Sequence, residues 1–224
     1  MPTTLSTLFN PGALAIVVAG TVLACAARCG WRDFGAALRQ AGGLGRRGFS
    51  PEPNRKALAL ALTAIQRDGS HRADPVLPPD RALGLMLETY LRHGTLEALG
   101  NARRVQRALA EARRIGAGQV FAWAGELAPV FGLIGTLYGL TQLAPTGSTN
   151  PTATIMAAVS TAVLTSLYGA LLAHFLCYPL ASAIERRGLA DEREREALAD
   201  WFVEQISRAG AVAQERRAHI RGVA

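Results

Sequence analysis

Three stretches of the chain are apolar for long enough to cross a bilayer as helices, which needs roughly 20 mostly apolar residues. They run from about Pro11 to Ala27, from about Val120 to Leu143 and from about Thr154 to Ala181. Asn10 is placed to cap the first of these helices. Between the second and the third, Ala144 to Thr152 is rich in Pro, Gly, Ser and Thr. This composition predicts a tight turn, so that the two stretches form a hairpin.

The segments between and after the apolar stretches are polar but keep a helical periodicity. We expect helices from Asn54 to about Arg67, from Arg81 to His93, from Thr95 through Arg114 into the second apolar stretch, and from Glu185 to Arg217. Asp68 to Asp80 contains three prolines and is predicted to be a loop. The last helix has an apolar stripe made of Leu198, Trp201, Phe202, Ile206 and Ala209. This stripe is expected to pack on the helical middle region of the same chain or of a neighbouring copy.

Together these elements predict an all-α membrane protein. It would have three transmembrane helices, a helical cytoplasmic region between the first and the second, and a cytoplasmic C-terminal helix. The expected boundaries are 1–30 for the first transmembrane helix, 31–119 for the cytoplasmic region, 120–184 for the transmembrane hairpin and 185–224 for the C-terminal helix.

The distribution of charge predicts the orientation. Residues 1–27 and 127–184 contain no Asp, Glu, Lys or Arg, whereas residues 28–119 contain 16 basic and 8 acidic residues and residues 185–224 contain 8 of each. Because cytoplasmic segments carry the excess of Lys and Arg, the middle region and the tail are expected inside, with Met1 and the turn outside. Two alternatives fit less well. A cleaved signal peptide would need a basic residue before the first apolar run, and a nucleic-acid surface would not alternate its arginines with acids.

No motif of an enzyme or of a metal site is found in the sequence. A Walker-type glycine loop, an HExxH pair, paired CxxC motifs and a nucleophile elbow are all missing. Cys25, Cys29 and Cys177 lie in or beside the apolar stretches, where cysteine acts as a small hydrophobic residue. We therefore expect a protein that is not an enzyme and that has no catalytic residue, metal or cofactor.

Small residues recur at helical spacing in both hairpin stretches. They are Gly132, Gly135, Thr136 and Gly139 in the second stretch and Ala158, Ala162, Ser166, Gly169 and Ala173 in the third. Small side chains let helices approach closely within a bilayer, which accounts for the glycines. The hydroxyls of Thr136, Thr161, Thr165 and Ser166 leave two alternatives. Each bonds a carbonyl of its own helix, or together they line a thin polar path.

Neither hairpin stretch contains a carboxylate after Glu126. The only Asp, Glu, His, Lys or Arg after it in these stretches is His174, which lies toward the cytoplasmic end. Ionisable groups inside a membrane usually mark ion pathways, so a proton path here would need an acid from another chain. Glu126 precedes Pro129 at the cytoplasmic mouth, where it is either the entrance of such a path or a solvated end residue.

The hairpin resembles that of MotA-type flagellar stator proteins, within the wider MotA, TolQ and ExbB superfamily. Val120 to Leu143 is similar to the third MotA helix, in which an acid, a proline and a G-x-x-G-T-x-x-G-L run follow one another. Asn150 to Arg187 is similar to the fourth helix, with its T-S-L-Y-G-A-L-L-A core and later proline, and Pro11 to Trp31 resembles the second. This chain has three predicted spans, as TolQ and ExbB do, where MotA has four.

The resemblance implies an assembly and roles for particular residues. A ring of five subunits would surround two helices of a MotB-like single-span partner, whose membrane Asp carries the ion. The implied ion-pathway residues are Thr136, Ser166, Thr165 and Glu126; those of conformational coupling are Pro129 and Pro179; those of helix packing are Gly132, Gly135, Gly139 and Gly169. Arg67 would face the rotor, and His174 stands where Asn is common in the family.

The function that the resemblance implies is that of an ion-conducting stator subunit in the bacterial inner membrane. It would couple proton or sodium flow to mechanical work in flagellar rotation. Two alternatives remain open. One is a TolQ- or ExbB-like energiser of an outer-membrane process, with a TolR- or ExbD-like partner, and the other is a membrane scaffold that does not conduct.

Overall fold

A computed structural model describes residues 10–45, 48–70, 72–141 and 151–222. Over these ranges the chain is helical and contains no strand. The helices are α1 (Pro11–Cys29), α2 (Trp31–Gly43), α3 (Pro51–Asp68), α4 (Arg81–His93), α5 (Leu96–Thr141), α6 (Pro151–Leu171) and α7 (Tyr178–Gly222), with a π-helical stretch, Leu172–Cys177, between α6 and α7. Three helical segments are long and apolar enough to cross a membrane: Pro11–Cys29, Leu96–Thr141 and Ile155–Gly210. The predicted all-α fold with three candidate spans is confirmed.

Local sequence sets the ends of several helices. Asn10 caps α1, because its side-chain oxygen accepts the N–H groups of Gly12 at 3.1 Å and Ala13 at 3.2 Å. Asp80 caps α4 in the same way. Gly94 ends α4 with a φ of 67°, a left-handed conformation that a residue without a Cβ atom adopts at little cost. Of the predicted turn from Ala144 to Thr152, only the first two residues of α6 lie within the described ranges.

Two elements differ from the expectation. α2 follows α1 after a single residue, Gly30, and three of its 13 residues are glycines, which lower helix propensity and hide the element in the sequence. The third span and the C-terminal helix are one continuous helical segment, in which Leu172–Cys177 has the π-helical hydrogen-bond pattern.

The described residues form two compact units. The hairpin unit comprises the described part of Met1–Gly45 and Arg114–Arg186, and includes α1, α2 and the hairpin. The polar unit comprises the described part of Arg46–Arg113 and Arg187–Ala224, and includes α3, α4 and the polar parts of α5 and α7.

The apolar stripe of α7 lies in the core of the polar unit. Leu198, Phe202 and Ile206 are buried. Their partners in this core are Leu58, Ala61, Leu83, Met86, Leu87, Tyr90 and Leu99. The rings of Tyr90 and Phe202 meet edge to face, with 6.4 Å between centroids. The prediction that this stripe packs on the helical middle region of the chain is therefore confirmed.

An ion-pair cluster joins α7 to the start of α4. Arg195 Nη2 lies 3.0 Å from Asp80 Oδ2, and Arg195 Nη1 lies 2.6 Å from Glu192 Oε2. The N–H of Asp80 donates to Asn54 Oδ1 at 2.9 Å. Burial alone would lower the pKa of Arg195, but the hydrogen bonds and charges of Asp80 and Glu192 outweigh it and raise the pKa. The guanidinium therefore stays charged and holds both carboxylates.

Candidate functional site

The two hairpin helices α5 and α6 are in contact at the level of their backbones. A Cβ atom added to Gly132 would lie 2.9 Å from the carbonyl oxygen of Thr165, and one added to Gly169 would lie 2.6 Å from the carbonyl oxygen of Ala128. Such distances leave no room for a side chain, so the close approach requires glycine. The glycines of this contact are Gly132, Gly135, Gly139 and Gly169.

Thr165 is enclosed by the contact between the two helices. Its side chain is buried and lies against Gly135, where an added Cβ would be 2.6 Å from Thr165 Cβ. Its hydroxyl donates to the carbonyl of Ala162 at 2.9 Å. Thr165 thus fills the space that Gly135 leaves, and its hydroxyl is satisfied within its own helix.

α1 covers one side of the hairpin. Four of its five buried residues recur every four positions, Ala13, Val17, Thr21 and Cys25, and the fifth, Ala26, is next to the last of these. The ring of Phe131 on α5 lies directly against Gly20 of α1. On α6, the hydroxyl of Tyr168 accepts the N–H of Asn10 at 2.9 Å. Phe131 and Tyr168 therefore mark the faces of α5 and α6 that α1 covers.

Thr136 and Ser166 lie on the other side of the hairpin. Successive residues of an α-helix are about 100° apart, so Thr136 is about 140° around α5 from Phe131, and Ser166 is about 160° around α6 from Tyr168. Ser166 is exposed and Thr136 is half-buried. The hydroxyl of Thr136 donates to a carbonyl of its own helix at 2.6 Å. Two of the predicted pathway hydroxyls thus share an open side, whereas Thr165 faces into the hairpin.

Glu126 lies at the end of the uncharged part of α5, beside Arg28 of α1. The charged atoms are 3.7 Å apart, and the side chains are 59% and 50% exposed. Arg28 also lies over the ring of Trp123, with its Cζ atom 4.8 Å from the ring centroid. An ion pair this exposed adds little to the stability of the fold. What it shows is that Arg28 is the charged neighbour of Glu126 at this end of the hairpin. Arg28 was not a candidate from the sequence, because it is far from Glu126 along the chain.

The helices accommodate Pro129 and Pro179 in different ways. A proline inside a helix lacks an N–H, and its ring clashes with the carbonyl four residues earlier. α5 continues through Pro129 as an α-helix. Pro179 instead follows the π-helical stretch, where the N–H of Tyr178 donates to the carbonyl of Ala173. The wider turn relieves the clash, and Pro179 within an apolar span was its only signal in the sequence.

Arg67 belongs to the polar unit. It lies in the last turn of α3, is exposed, and forms an ion pair of 3.0 Å with its neighbour Asp68. The hydrogen bond from Arg67 is the main reason why the pKa of Asp68 is lowered. This surface therefore presents a paired arginine and carboxylate rather than an isolated positive charge.

The chain is similar in sequence to proteins of one family. The model of the MotA/TolQ/ExbB proton channel family matches residues 81–197. Chemotaxis protein PomA of Vibrio alginolyticus is 34% identical over 93 residues, which cover 42% of this chain and 36% of PomA. The protein YtxD of Bacillus subtilis (strain 168) is 39% identical over 69 residues, which cover 31% of this chain and 25% of YtxD. The aligned part is thus about a third or a quarter of these relatives.

The fold is similar to that of two solved complexes. One chain of C. jejuni MotAB matches with a TM-score of 0.75 at 15% identity, over 93% of this chain and 82% of that one. One chain of the flagellar MotAB stator complex from Bacillus subtilis matches with a TM-score of 0.74 at 19% identity, over 95% and 85%. At this identity the likeness shows the fold alone. The family match covers more than half of the chain, which therefore belongs to the MotA/TolQ/ExbB proton channel family and is a membrane protein of the bacterial inner membrane.

Proposed function

We propose that this chain is the ion-conducting subunit of a stator, which works with a MotB-like single-span partner to couple ion flow across the inner membrane to mechanical work. One observation carries the proposal: the side of the hairpin opposite α1 bears Thr136 and Ser166. This side is open in the single chain. The hairpin has no carboxylate between residues 127 and 184, so this surface suits a partner helix that supplies the acid.

The two hydroxyls can serve an acid in both of its states. A hydroxyl donates to a carboxylate and accepts from a protonated carboxyl group. Thr136 and Ser166 could therefore hydrogen-bond the partner's Asp both when it is charged and when it is protonated. Moving one charge across the membrane is worth about 2.3 kcal/mol per 100 mV. A hydrogen bond to a charged group contributes about 1.5–3 kcal/mol. The free energy lost with one such hydrogen bond is therefore comparable with the free energy that the membrane potential supplies for each ion.

The proposed assembly is a ring, with five copies around two partner helices. The open sides of the hairpins would face inward, and α1 would lie toward the outside of each subunit. The fold similarity to MotAB complexes supports such a partner. The excess of arginine in residues 28–119 supports a cytoplasmic middle region and tail, with Glu126 and Arg28 at the cytoplasmic end of the hairpin.

The test is ion flux through the complex in liposomes under an imposed potential. The double variant Thr136→Val with Ser166→Ala should lose most of the flux, while native mass spectrometry still shows rings with bound partner. The matched control is Thr21→Val. Thr21 also lies in a span, and its hydroxyl, like that of Thr136, donates to a carbonyl of its own helix, at 2.7 Å, but Thr21 is buried and lies on α1. Undiminished flux in the double variant, or full flux from the subunit without partner, would refute the mechanism.

The driven process is a separate question, which Arg67 can decide. In a flagellar stator, Arg67→Glu should reduce swimming and leave ring assembly intact, because exposed charges orient an interface more than they stabilise it. Arg92→Glu is the matched control, since Arg92 is also exposed and paired with a carboxylate of its own helix, at 2.6 Å from Glu88. Unchanged swimming in the Arg67 variant would instead favour the energiser of an outer-membrane process, in line with the three candidate spans.

A further inference from the structure

We propose that His174 relays the proton between the hydroxyls of the hairpin and its cytoplasmic end, and that it makes the conducted ion a proton rather than a sodium ion. The inference rests on the proposed function and deepens it. Between residues 127 and 184 the only Asp, Glu, His, Lys or Arg is His174, whose imidazole can accept and release a proton. An ionisable side chain within a span is costly unless it has a use.

His174 lies within about a quarter turn of Ser166 around the third span, because eight residues at about 100° each add up to two turns and about 80°. Ser166, Ala170 and His174 follow one another at intervals of four residues, and all three are exposed in the single chain. Eight residues of helix separate Ser166 from His174 by about 12 Å. The imidazole is therefore exposed, about a quarter turn from Ser166 and farther toward the end at which Glu126 lies.

The ring of His174 is connected by packing to the neighbourhood of Glu126. Its centroid lies 5.5 Å from that of Tyr178, with the ring planes at 63°. The Tyr178 ring in turn lies against α5, where a Cβ atom added to Gly125 would be 2.7 Å from Tyr178 Cε1. Gly125 directly precedes Glu126. His174 thus occupies the interval between the pathway hydroxyls and the charged end of α5.

The backbone around His174 is π-helical, and π-helical turns occur frequently at functional sites. His174 lies in the middle of the stretch Leu172–Cys177. The wider turn spreads its residues around the axis. The side chain of His174 is exposed, so the imidazole can rotate about its χ angles to reach a donor and an acceptor in turn, as a relay requires.

The proton balance of the relay is simple. A neutral imidazole accepts a proton at one ring nitrogen through a chain of water molecules that leads from the partner's protonated carboxyl group, and the partner is left as a carboxylate. The imidazolium then releases a proton from its other nitrogen toward Glu126 or bulk water, and the neutral ring is restored. The ionisable and charged groups at this end of the hairpin unit include Tyr178, whose ring contacts that of His174, and the ion pair of Glu126 on α5 with Arg28 on α1.

The same residues would be poor ligands for a sodium ion. Hard cations prefer oxygen ligands, whereas imidazole nitrogen suits protons and transition metals. Along this face the side chain between Ser166 and His174 is that of Ala170, which offers no oxygen. A proton can cross this interval along water molecules and be taken up by the imidazole, whereas a sodium ion finds no side-chain oxygen on this face between Ser166 and His174.

The experiment uses the full chain purified with its single-span partner and reconstituted in liposomes under an imposed potential. Proton flux is followed with a pH-sensitive dye and sodium flux with a radioactive tracer. The variants are His174→Asn and His174→Gln, which keep a hydrogen-bonding group but cannot titrate, and His174→Asp, which can. His93→Asn is the matched control, because His93 lies in the last turn of α4 in the polar unit. Only complexes with the native mass are compared.

The wild-type complex should carry protons and no sodium. Both amide variants should lose at least about tenfold in proton flux, within the range that one acid–base group contributes. His174→Asp should recover part of it, with the pH profile moved to lower pH because a carboxyl group titrates below imidazole. Amide variants with wild-type flux and pH profile, or sodium flux in the wild type, would overturn the role of His174 alone. A wild-type complex that carries neither ion would overturn the proposed function itself.

Discussion

Thr165 and Ser166 are neighbours in the chain, yet they contribute to different parts of the molecule. Thr165 is buried against Gly135, so its methyl group and its hydroxyl belong to the contact between α5 and α6. Ser166 is turned by about 100° and is exposed. A change at Thr165 is therefore expected to alter the packing of the hairpin first, whereas a change at Ser166 alters the surface that the proposed partner contacts.

At the same scale, Gly169→Ala is expected to destabilise the hairpin by about 1–3 kcal/mol, the usual cost of overpacking. The new methyl group would lie 2.6 Å from the carbonyl oxygen of Ala128, and backbone cannot give way as a flexible side chain can. Gly118→Ala is the control on α5, because nothing lies within 4 Å of its Cβ position and alanine favours a helix. Thermal unfolding in detergent, followed by circular dichroism, compares the two. Equal melting temperatures would contradict the close contact at Gly169.

The elements differ in how much of them the sequence could predict. The bounds of α4 are found from the sequence because both of its ends are local: a carboxylate cap at Asp80 and a glycine at residue 94. The position and length of the π-helical stretch could not be predicted: Pro179 signals an irregularity in the span, but an apolar run has the same composition whether its N–H groups bond four or five residues back. The residues that carry the pathway hydroxyls could be identified from the sequence, but the side of the hairpin on which each hydroxyl lies could not. The face of Thr136 depends on the contact between Phe131 and Gly20, which joins distant parts of the chain.

At the π-helical stretch, Pro179 is predicted to be needed for the motion that couples ion flow to work. Pro179→Ala restores an N–H and removes the ring clash that the π-helical turn relieves, so the stretch should relax toward α-helix. We expect rings of normal mass with bound partner but ion flux reduced several-fold. Pro11→Ala is the control, because Pro11 occupies the first position of α1, where no N–H is needed. Normal flux in the Pro179 variant, or loss of the ring, would show that this proline does not serve the coupled motion.

At the scale of the whole molecule, each of the two units has its own core. The polar unit holds the stripe of α7, and its ion pairs between α5 and α7 include Arg107 with Glu196 at 2.8 Å. In the hairpin unit, Cys25 and Cys177 are buried with Val120 and other apolar residues of the spans. The segregation of charge seen in the sequence thus corresponds to two separately packed parts of one chain.

The orientation of these parts in the membrane is a prediction of the charge pattern. Green fluorescent protein fused at Gly69 should fluoresce, and alkaline phosphatase fused at Gly147 should be active, because the excess of arginine keeps residues 28–119 in the cytoplasm and the turn in the periplasm. The reverse pair of fusions should give no signal. Phosphatase activity at Gly69 would reverse the orientation, and the proposed cytoplasmic position of Glu126 would then be wrong as well.

The π-helical stretch also affects how this chain aligns with others. A π-helical turn contains one residue more than the α-helical turn that could replace it, so it behaves as an insertion that the helix has absorbed. Deleting one residue within Leu172–Cys177 should convert the stretch to α-helix and leave the helical faces before and after it in place, although the ring clash of Pro179 then returns. The same deletion in the middle of α6 would turn Ser166 or Gly169 by about 100° and break the contact with α5. Relatives that differ from this chain by a single-residue gap in the third span are therefore expected to have that gap here.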